Sequence, residues 1–503
     1  MSPLKIVCRG SKLSLAQVEI FKRKLLDSFP NATVEIIIKE TEGDLNQNQA
    51  LSEMEGRDFF TKDIQDYLLK GQADFAVHSM KDVSGENFFK DNSYAIIERD
   101  DFRDVAIFNE DILLKIEREE KIRLGASSPR RVEMAISFLE KAMPVISDKK
   151  VKLDAVSIRG NVDTRLRKLN VKEYDGIVLA CAGLNRLLRA DEKDEIALLL
   201  KSKKLMILPV MDCPPAPGQG AIVVETSKEN IEAKEILNKL NDEKLAESIT
   251  KERNLAHHYG SGCHQKFGVV HVDSKEISFT YGAGKDRADK EFERVVYEND
   301  FETGSKAIYS TADYLNSLFY EEYSNAFKLS QSSALYIASK NPLQQSKILK
   351  AKRIWVANTT DWFNLAKQGV WVEGSSENLG IEFIKSTLAS PLVNIKTAEI
   401  SILSDDLNAA YWKQLGFDVV IYCKSSSKVS TEVKNELAKA DFIYWTNFWE
   451  YQLYKEVLKK NVVHGCAPDE TFDHFVEAGI KPIVFPGLKA FEVWRSNTVF
   501  SEG

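Results

Sequence analysis

A base and an acid stand side by side at Lys81 and Asp82, inside the string Val77, His78, Ser79, Met80, Lys81, Asp82, Val83 and directly after the strand-like run 74–77. A Lys-Asp pair taken alone is usually a solvated ion pair. Polar residues at a strand's end are also where sites are built, and five further segments favour that reading. They are Arg9 with Gly10 and Ser11; Ser127, Ser128, Pro129, Arg130 and Arg131; Arg159, Gly160 and Asn161 leading to Asp163, Thr164 and Arg165; Gly183 with Arg186; and Gly260, Ser261, Gly262 and Cys263. An arginine beside Gly, Ser or Asn at a helix start offers two anion-binding devices, the forked guanidinium and the free N–H groups of the first turn. Repeated along the chain, the device implies many carboxylates or phosphates on one ligand. Arg23 and Arg118 lack that context and read as surface ion pairs. A lone cysteine is more often a small buried apolar residue than a nucleophile. On a glycine-rich turn near cations, however, Cys263 is suited to a thiolate and to covalent attachment. The sum is a cleft for a polyanion with one sulfur in it.

The elements that would position these groups alternate. Residues 5–8 read as a strand, and Ser11 caps a helix whose Val18, Phe21, Leu25 and Phe29 recur at helical spacing. Residues 33–38 form a second β-branched run, and a helical stretch at 60–69 leads into the strand before His78. A mainly parallel sheet with helices on both faces follows. A second α/β unit starts near Asp101, with strands expected at 105–108, 123–125, 156–158 and 177–179. The Pro- and Gly-dense residues 209–220 are a turn segment, and the apolar strand 221–224 returns to the first sheet. Residues 227–259 are helical and strongly charged, which reads as a solvated face. Short alternating runs at 267–272, 277–281 and 294–297 suggest a small antiparallel α+β domain, and strands expected at 353–357, 419–423, 442–445 and 482–485 alternate with helices to the end.

At 503 residues, with 44% hydrophobic and 28% charged residues, the chain has ordinary globular composition and length for three or four domains. A formal net charge of −7 argues against a nucleic-acid binder, so the basic residues must act locally, as suits a small carboxylate-rich ligand. The N-terminus shows no signal-peptide h-region, and no apolar run is long enough for a bilayer; the expectation is a cytoplasmic protein that engages no membrane. Six cysteines are scattered without ligand or disulfide spacing, which indicates free thiols and no metal site.

The segments 9–11, 78–83, 125–131, 159–166, 182–187, 215–220 and 252–263 resemble, in order and spacing, the signature segments of the porphobilinogen deaminase (hydroxymethylbilane synthase) family, over about the first three-fifths of the chain. The resemblance implies an enzyme that condenses four porphobilinogen molecules head to tail into a linear tetrapyrrole with release of ammonia. It implies a dipyrromethane cofactor, thioether-linked to Cys263, and no metal. Asp82 would be the catalytic carboxylate. Lys81, Arg130, Arg131, Arg159 and Arg165 would hold carboxylates of cofactor and substrate, with Arg9, Ser11 and Arg186 on the incoming-substrate side. The fold implied is α/β: two doubly wound domains around a cleft, of the periplasmic-binding-protein kind, in residues 1–100 plus 200–225 and residues 101–199. A small α+β domain at 226–310 carries the cofactor cysteine, and a linker at 311–333 leads to a C-terminal α/β region at 334–503.

The chain departs from the family pattern at Gly56, Arg57, Asp58, Phe59 and Phe60, at Glu53, at Ser84, and around Ser261, Gly262 and Cys263, where Gln265, Lys266 and Phe267 stand in place of an expected proline. In the C-terminal region, Trp371, Val372, Glu373, Gly374, Leu379, Gly380, Trp445, Thr446 and residues 464–468 bear a fragmentary similarity to uroporphyrinogen-III synthase, which cyclises the linear product. This implies either cyclisation on the same chain or handover to such a synthase. A monomer is expected. The rival from another class is a non-catalytic anion-binding module with a structural C-terminal region.

Overall fold

The computed structural model describes residues 3–39, 62–83, 92–147, 151–190, 194–260, 265–274, 276–298, 307–314, 317–323, 332–338 and 352–500. The chain forms two compact units. One comprises Met1–Lys141, Ser147–Val272 and Thr280–Val296, the other Ala142–Ile146, Asp273–Phe279 and Tyr297–Gly503.

In the first unit, strands β1 (Leu4–Arg9), β2 (Val34–Lys39), β3 (Phe75–Ser79), β4 (Asn92–Arg99) and β10 (Ala221–Ser227) form a sheet of order β2-β1-β3-β10-β4. Strands β5 (Asp104–Phe108), β6 (Ile122–Gly125), β7 (Leu153–Val156), β8 (Gly176–Ala180) and β9 (Lys204–Ile207) form a second, of order β7-β6-β8-β5-β9. The first sheet therefore takes in one strand, β10, that returns after the whole of the second sheet, β5 to β9, has been built. In each sheet one strand runs antiparallel to both its neighbours, β10 between β3 and β4 and β5 between β8 and β9. The remaining pairs, β1 with β2 and β3 and β6 with β7 and β8, are parallel. The expected mainly parallel sheets are thus mixed, because β10 and β5 each run against the strands on either side.

Ile6, Val7 and Cys8 of β1 are all fully buried, as a central strand covered on both faces requires. The helix Lys12–Ser28 lays Val18, Phe21 and Leu25 on that sheet against Phe75, Val77, Ile222 and Val224. Phe21 and Phe75 meet edge to face at 5.2 Å. Burying a side chain such as Phe21 is worth about 1.5–3 kcal/mol, and three such residues at helical spacing fix which face of the helix turns inward.

Where the chain passes from β4 to β5 and from β9 to β10, the two crossings are bonded together. The Asp100 amide donates to the Gly220 carbonyl (3.0 Å), and Gln219 Nε2 donates to the Phe102 carbonyl (2.7 Å) and to Asp104 Oδ1 (2.9 Å). Gly220 has φ +85°, and a Cβ there would lie 2.4 Å from the Asp100 carbonyl oxygen, so only glycine lets the crossings approach. A third sheet, β11 (Lys266–Asp273), β12 (Ser278–Lys285) and β13 (Glu291–Tyr297), follows the long helix Glu243–Tyr259.

The second unit holds two further sheets. Strands β14 (Ile308–Ser310), β21 (Phe442–Tyr444), β22 (Val463–Cys466) and β23 (Ile483–Val484) are parallel throughout. Strands β15 (Leu318–Glu322), β16 (Ala334–Ile337), β17 (Arg353–Val356), β18 (Val372–Ser375), β19 (Ile400–Asp405) and β20 (Asp418–Ser427) are parallel except for β15 on β20.

Several boundaries move. Strand β9, read as part of the first domain, pairs with β5 in the second sheet, so the return begins only after Ile207. Strand β7 ends at Val156, and residues 157–158 form the turn into Arg159. Residues 308–310 and 318–322, read as the end of the third domain and as linker, are strands of the second unit. No described helix is long and apolar enough to cross a membrane.

Candidate active site

Strand β3 ends in a single 3-10 turn, Met80–Asp82, that places Lys81 and Asp82 at the carboxyl edge of the first sheet. Strand β1 is parallel to β3 with Val7 opposite Ala76, so Arg9, Gly10 and Ser11 leave the sheet at the same edge. In the second sheet the parallel strands β6 and β8 end just before the helices Pro129–Ala142 and Cys181–Ala190, and β7 leads through Arg159 into the helix Val162–Asn170. Carboxyl edges of parallel strands are where α/β folds present ligand-binding turns.

Arg130 and Arg131 are both buried and share one carboxylate. Arg130 NH2 bonds Asp104 Oδ2 at 2.7 Å, and Arg131 NH2 bonds Asp104 Oδ1 at 2.8 Å. Arg130 NH1 also donates to the Pro214 carbonyl (2.8 Å). Burial pushes the Asp104 carboxyl up, but the two guanidiniums overcome it and hold the group well below the usual carboxylate range. Arg131 Nε, though buried, has no partner among the described residues.

Lys81 and Asp82 keep exposed side chains, yet Lys81 is crowded by protein. Burial pushes its ammonium below the usual value; Asp82 raises it, Arg131 lowers it, Asp104 raises it and Arg130 lowers it again. Arg165 feels the same group of charges. Burial, then Arg131 and Arg159, lower its guanidinium to about 10 against the pull of Asp82 and Tyr174.

Lys81, Asp82, Arg130, Arg131, Arg159 and Arg165 thus lie near enough to feel one another's charge, and these cations outnumber Asp82 and Asp104 by three. The turns around them are braced from within. Ser127 Oγ accepts from the Ile158 amide (3.0 Å) and donates to the Ile158 carbonyl, which ties the β6 turn to the backbone beside Arg159. Arg165 Nε donates to the Gly160 carbonyl (2.8 Å), and Gly160, at φ +107°, leaves no room for a Cβ against Thr164.

The other expected residues within the described chain are Ser11, Arg9 and Arg186. Ser11 Oγ accepts from the Ser14 amide (3.2 Å) as the N-cap of Lys12–Ser28, and Arg9 is half-buried at the end of β1. Arg186 is buried beneath the crossing segments, where its NH2 donates to the Gly220 carbonyl (2.6 Å) and lies 3.7 Å from Glu98. Burial lowers its guanidinium, against Asp100 and Glu98. Cys263, with Ser261 and Gly262, lies outside the described residues, as do Glu53, the segment 56–60 and Ser84. The helix Glu243–Tyr259 ends at Gly260, whose carbonyl accepts from Gln265 Nε2 at 3.1 Å.

Three residues that matter here escaped the reading of the sequence. Asp104 neutralises the arginine pair; its signal was a lone acid opening the apolar run Asp104–Phe108, which is buried throughout. Glu252, read within a solvated helix, is fully buried. Its Oε2 accepts from the Gly218 amide (2.7 Å), and its Oε1 accepts from the His271 amide (2.7 Å) and from Arg99 NH1 (2.8 Å). Gln17 reaches from Lys12–Ser28 to Ser79 Oγ (2.8 Å) at the head of the Lys81 turn. His78 is buried, with Nε2 3.2 Å from Glu225 Oε1.

Comparison with known proteins adds to this geometry. Residues 4–235 match the family model described as porphobilinogen deaminase, dipyromethane cofactor binding domain. The porphobilinogen deaminase of Fusobacterium nucleatum is 34% identical over 311 residues, covering 61% of this chain and 94% of that protein. That of Alkaliphilus metalliredigens is 37% identical over 269 residues, 54% of this chain and 78% of that protein. That of Clostridium novyi is 30% identical over 290 residues, 57% of this chain and 90% of that protein. Among solved structures, a probable amino-acid ABC transporter extracellular-binding protein from Bacillus subtilis overlaps at a TM-score of 0.27 and 11% identity, covering 51% of this chain and 97% of that one, too slight a likeness to carry an argument.

Proposed function

This chain belongs to the porphobilinogen deaminase family, and from that premise we propose that Asp82 is its catalytic carboxylate and Cys263 the residue that anchors its cofactor. The activity is that of a hydroxymethylbilane synthase, a transferase that joins four porphobilinogen molecules head to tail, releases ammonia at each step and works on a dipyrromethane cofactor. The non-catalytic anion-binding alternative is not favoured.

The observation that carries the residue assignments is the convergence of Lys81, Arg130, Arg131, Arg159 and Arg165 around Asp82. Each pyrrole of substrate and cofactor bears an acetate and a propionate, and forked guanidiniums are the fitting binders of carboxylates. The residues fit the dipyrromethane: Arg131 keeps a buried donor without a described partner, and Asp104 takes only one nitrogen from each guanidinium of the pair. When bound, the cofactor supplies a free pyrrole carbon to which the first substrate joins. As the aminomethyl C–N bond of porphobilinogen breaks, positive charge spreads to its pyrrole nitrogen, and the Asp82 carboxylate stabilises it electrostatically. Ammonia departs, the C–C bond forms, and Asp82 accepts the proton from the newly substituted carbon. Arg9, Ser11 and Arg186 belong to the incoming-substrate side in this reading. Asp82→Asn tests it: the variant should keep its cofactor while the rate of ammonia release falls by roughly 10² or more, and an unchanged rate would remove Asp82 from the role.

The same proposal includes a cleft of the periplasmic-binding-protein kind between the two sheets of the first unit, supported by the two chain crossings that join those sheets and the return of β10 to the first, and a monomer acting in the cytoplasm. For residues 334–503 the second reading is cyclisation of the linear product, supported by a unit with two largely parallel α/β sheets. Both arginines of that unit, Arg353 and Arg495, are engaged in ion pairs, with Glu373 and with Asp313 and Glu492. Product analysis separates the outcomes: an enzymatic type III ring from the full chain supports cyclisation, and a linear product that closes only spontaneously supports handover to a separate synthase.

A further inference from the structure

We propose that Arg253 is a positioning residue for the condensation, holding the Lys81–Asp82 turn in register with the helix that leads to Cys263. The inference rests on the reading of Asp82 as the catalytic carboxylate. The turn Met80–Asp82 is only three residues long, and its N-cap Ser79 makes no side-chain capping bond. Its closing bond, from the Val83 amide to the Met80 carbonyl, is long at 3.3 Å. A turn so weakly held by itself takes its geometry from what surrounds it.

Its surroundings come from three directions. In front, Gln17 donates to Ser79 Oγ. Beneath, Met80 and Val83 pack with Ile249 of the helix Glu243–Tyr259, and Met80 lies so close to Gly218 that a Cβ there would sit 2.7 Å from its Cγ. Behind, Arg253 NH2 donates to the Val83 carbonyl at 2.7 Å. Burial lowers the Arg253 guanidinium to about 10, with Tyr94 opposing, which still leaves it cationic at neutral pH and the bond charge-assisted. Glu252, the preceding residue, fixes that helix to Gly218, Arg99 and His271 through its fully buried carboxylate. One helix thus grips the catalytic turn through Arg253, grips the crossing segment and β11 through Glu252, and runs on to Gly260, three residues before Cys263. The catalytic turn and the chain leading to Cys263 are thus tied to one helix.

The test uses the full-length holoenzyme with Arg253→Met and Arg253→Lys, measuring intact mass, melting temperature, kcat and KM for porphobilinogen. Arg253→Met should carry the cofactor and lose kcat by roughly 10- to 100-fold, since misplacement by about an ångström has that effect, with KM changed less than about threefold because the carboxylate-binding arginines are intact. Arg253→Lys, which offers the carbonyl a single donor on a differently shaped head, should give an intermediate kcat. A folded, cofactor-bearing Arg253→Met enzyme with wild-type kcat overturns the proposal, as does a loss in KM alone. If Arg253→Met does not fold, the lysine variant decides: reduced kcat at unchanged KM supports the positioning role, and wild-type kcat overturns it. Asp82→Asn, run in parallel, separates the two failures. A normal rate there removes the catalytic reading on which the inference rests, whereas a collapsed rate beside normal Arg253 variants removes only the positioning role.

Discussion

Replacing Asp104 with asparagine should destabilise the first unit by an amount that the geometry allows to be worked out. The carboxylate accepts three N–H donors, from Arg130 NH2 at 2.7 Å, Arg131 NH2 at 2.8 Å and Gln219 Nε2 at 2.9 Å, and is almost completely buried. Asparagine keeps one oxygen and turns an NH2 group toward a donor, leaving two buried guanidiniums without a counter-charge. Removing one partner of a buried ion pair costs about 3–5 kcal/mol, so about 4 kcal/mol is expected. At about 2–4 °C per kcal/mol for a domain of this class, the melting temperature should fall by about 10 °C.

The pH dependence has a definite sign. The folded Asp104 carboxyl is depressed by the two arginines, so its stabilisation is fully present above the unfolded value of about 3.9 and is lost as pH falls through the lower folded value. Thermal unfolding of wild type and Asp104→Asn at pH 7, 5 and 3.5 should show a constant gap at the first two and a narrower one at the third. A gap below about 2 °C at pH 7, or one that already narrows between pH 7 and 5, refutes the assignment of Asp104 as the ionised partner of both arginines.

Other consequences follow from the same contacts. Glu252→Gln places an amide among the Gly218, His271 and Arg99 donors and should cost about 3 kcal/mol in denaturant unfolding; a change under 1 kcal/mol would mean that this carboxylate does not bind the three segments together. Gly268→Ala puts a methyl 1.9 Å from the Pro214 carbonyl oxygen and should cost about 3 kcal/mol or more, because β11 cannot then lie against the crossing segment; a variant with unchanged melting temperature contradicts that packing. Gly374→Ala brings a Cβ to 2.2 Å from the Trp355 ring and should destabilise the second unit by about 1–3 kcal/mol while porphobilinogen consumption continues; loss of the condensation itself would show that the first unit depends on the second.

Local pattern was legible wherever one residue's neighbours in sequence decide its fate. The apolar run in β1, the 3.6-residue spacing of Val18, Phe21 and Leu25, and the Gly- and Pro-dense crossing before β10 all gave elements found near their expected places. The recurring arginine-with-glycine turns pointed to Arg130, Arg131, Arg159 and Arg165, which do gather around Lys81 and Asp82. What was not legible depends on pairings across the chain. Asp104 meets its arginines 26 and 27 residues away, and Glu252 meets Gly218 at 34; nothing in a helix of alternating charges marks which acid turns inward. Strand β9 was assigned to the wrong sheet because its partner, β5, lies far back in the chain and is not written in its own four residues. Arg186 carries the same Gly-Arg signature as the others, yet it lies under the crossing segments, because its helix is tied there: the Cys181 and Ala182 amides donate to the Arg103 and Asp101 carbonyls, and Asn185 Nδ2 donates to Asp100 Oδ1.

The central claim is that this chain builds its product on a dipyrromethane held by Cys263. The direct measurement is the intact mass of the purified full-length protein and of Cys263→Ser, before and after incubation with porphobilinogen. The account predicts a wild-type mass raised by one dipyrromethane and then by a ladder of single pyrrole units, with neither increment on Cys263→Ser. A wild-type mass equal to that of the bare chain, unchanged by porphobilinogen, would contradict it; the same adduct on Cys263→Ser would move the attachment elsewhere.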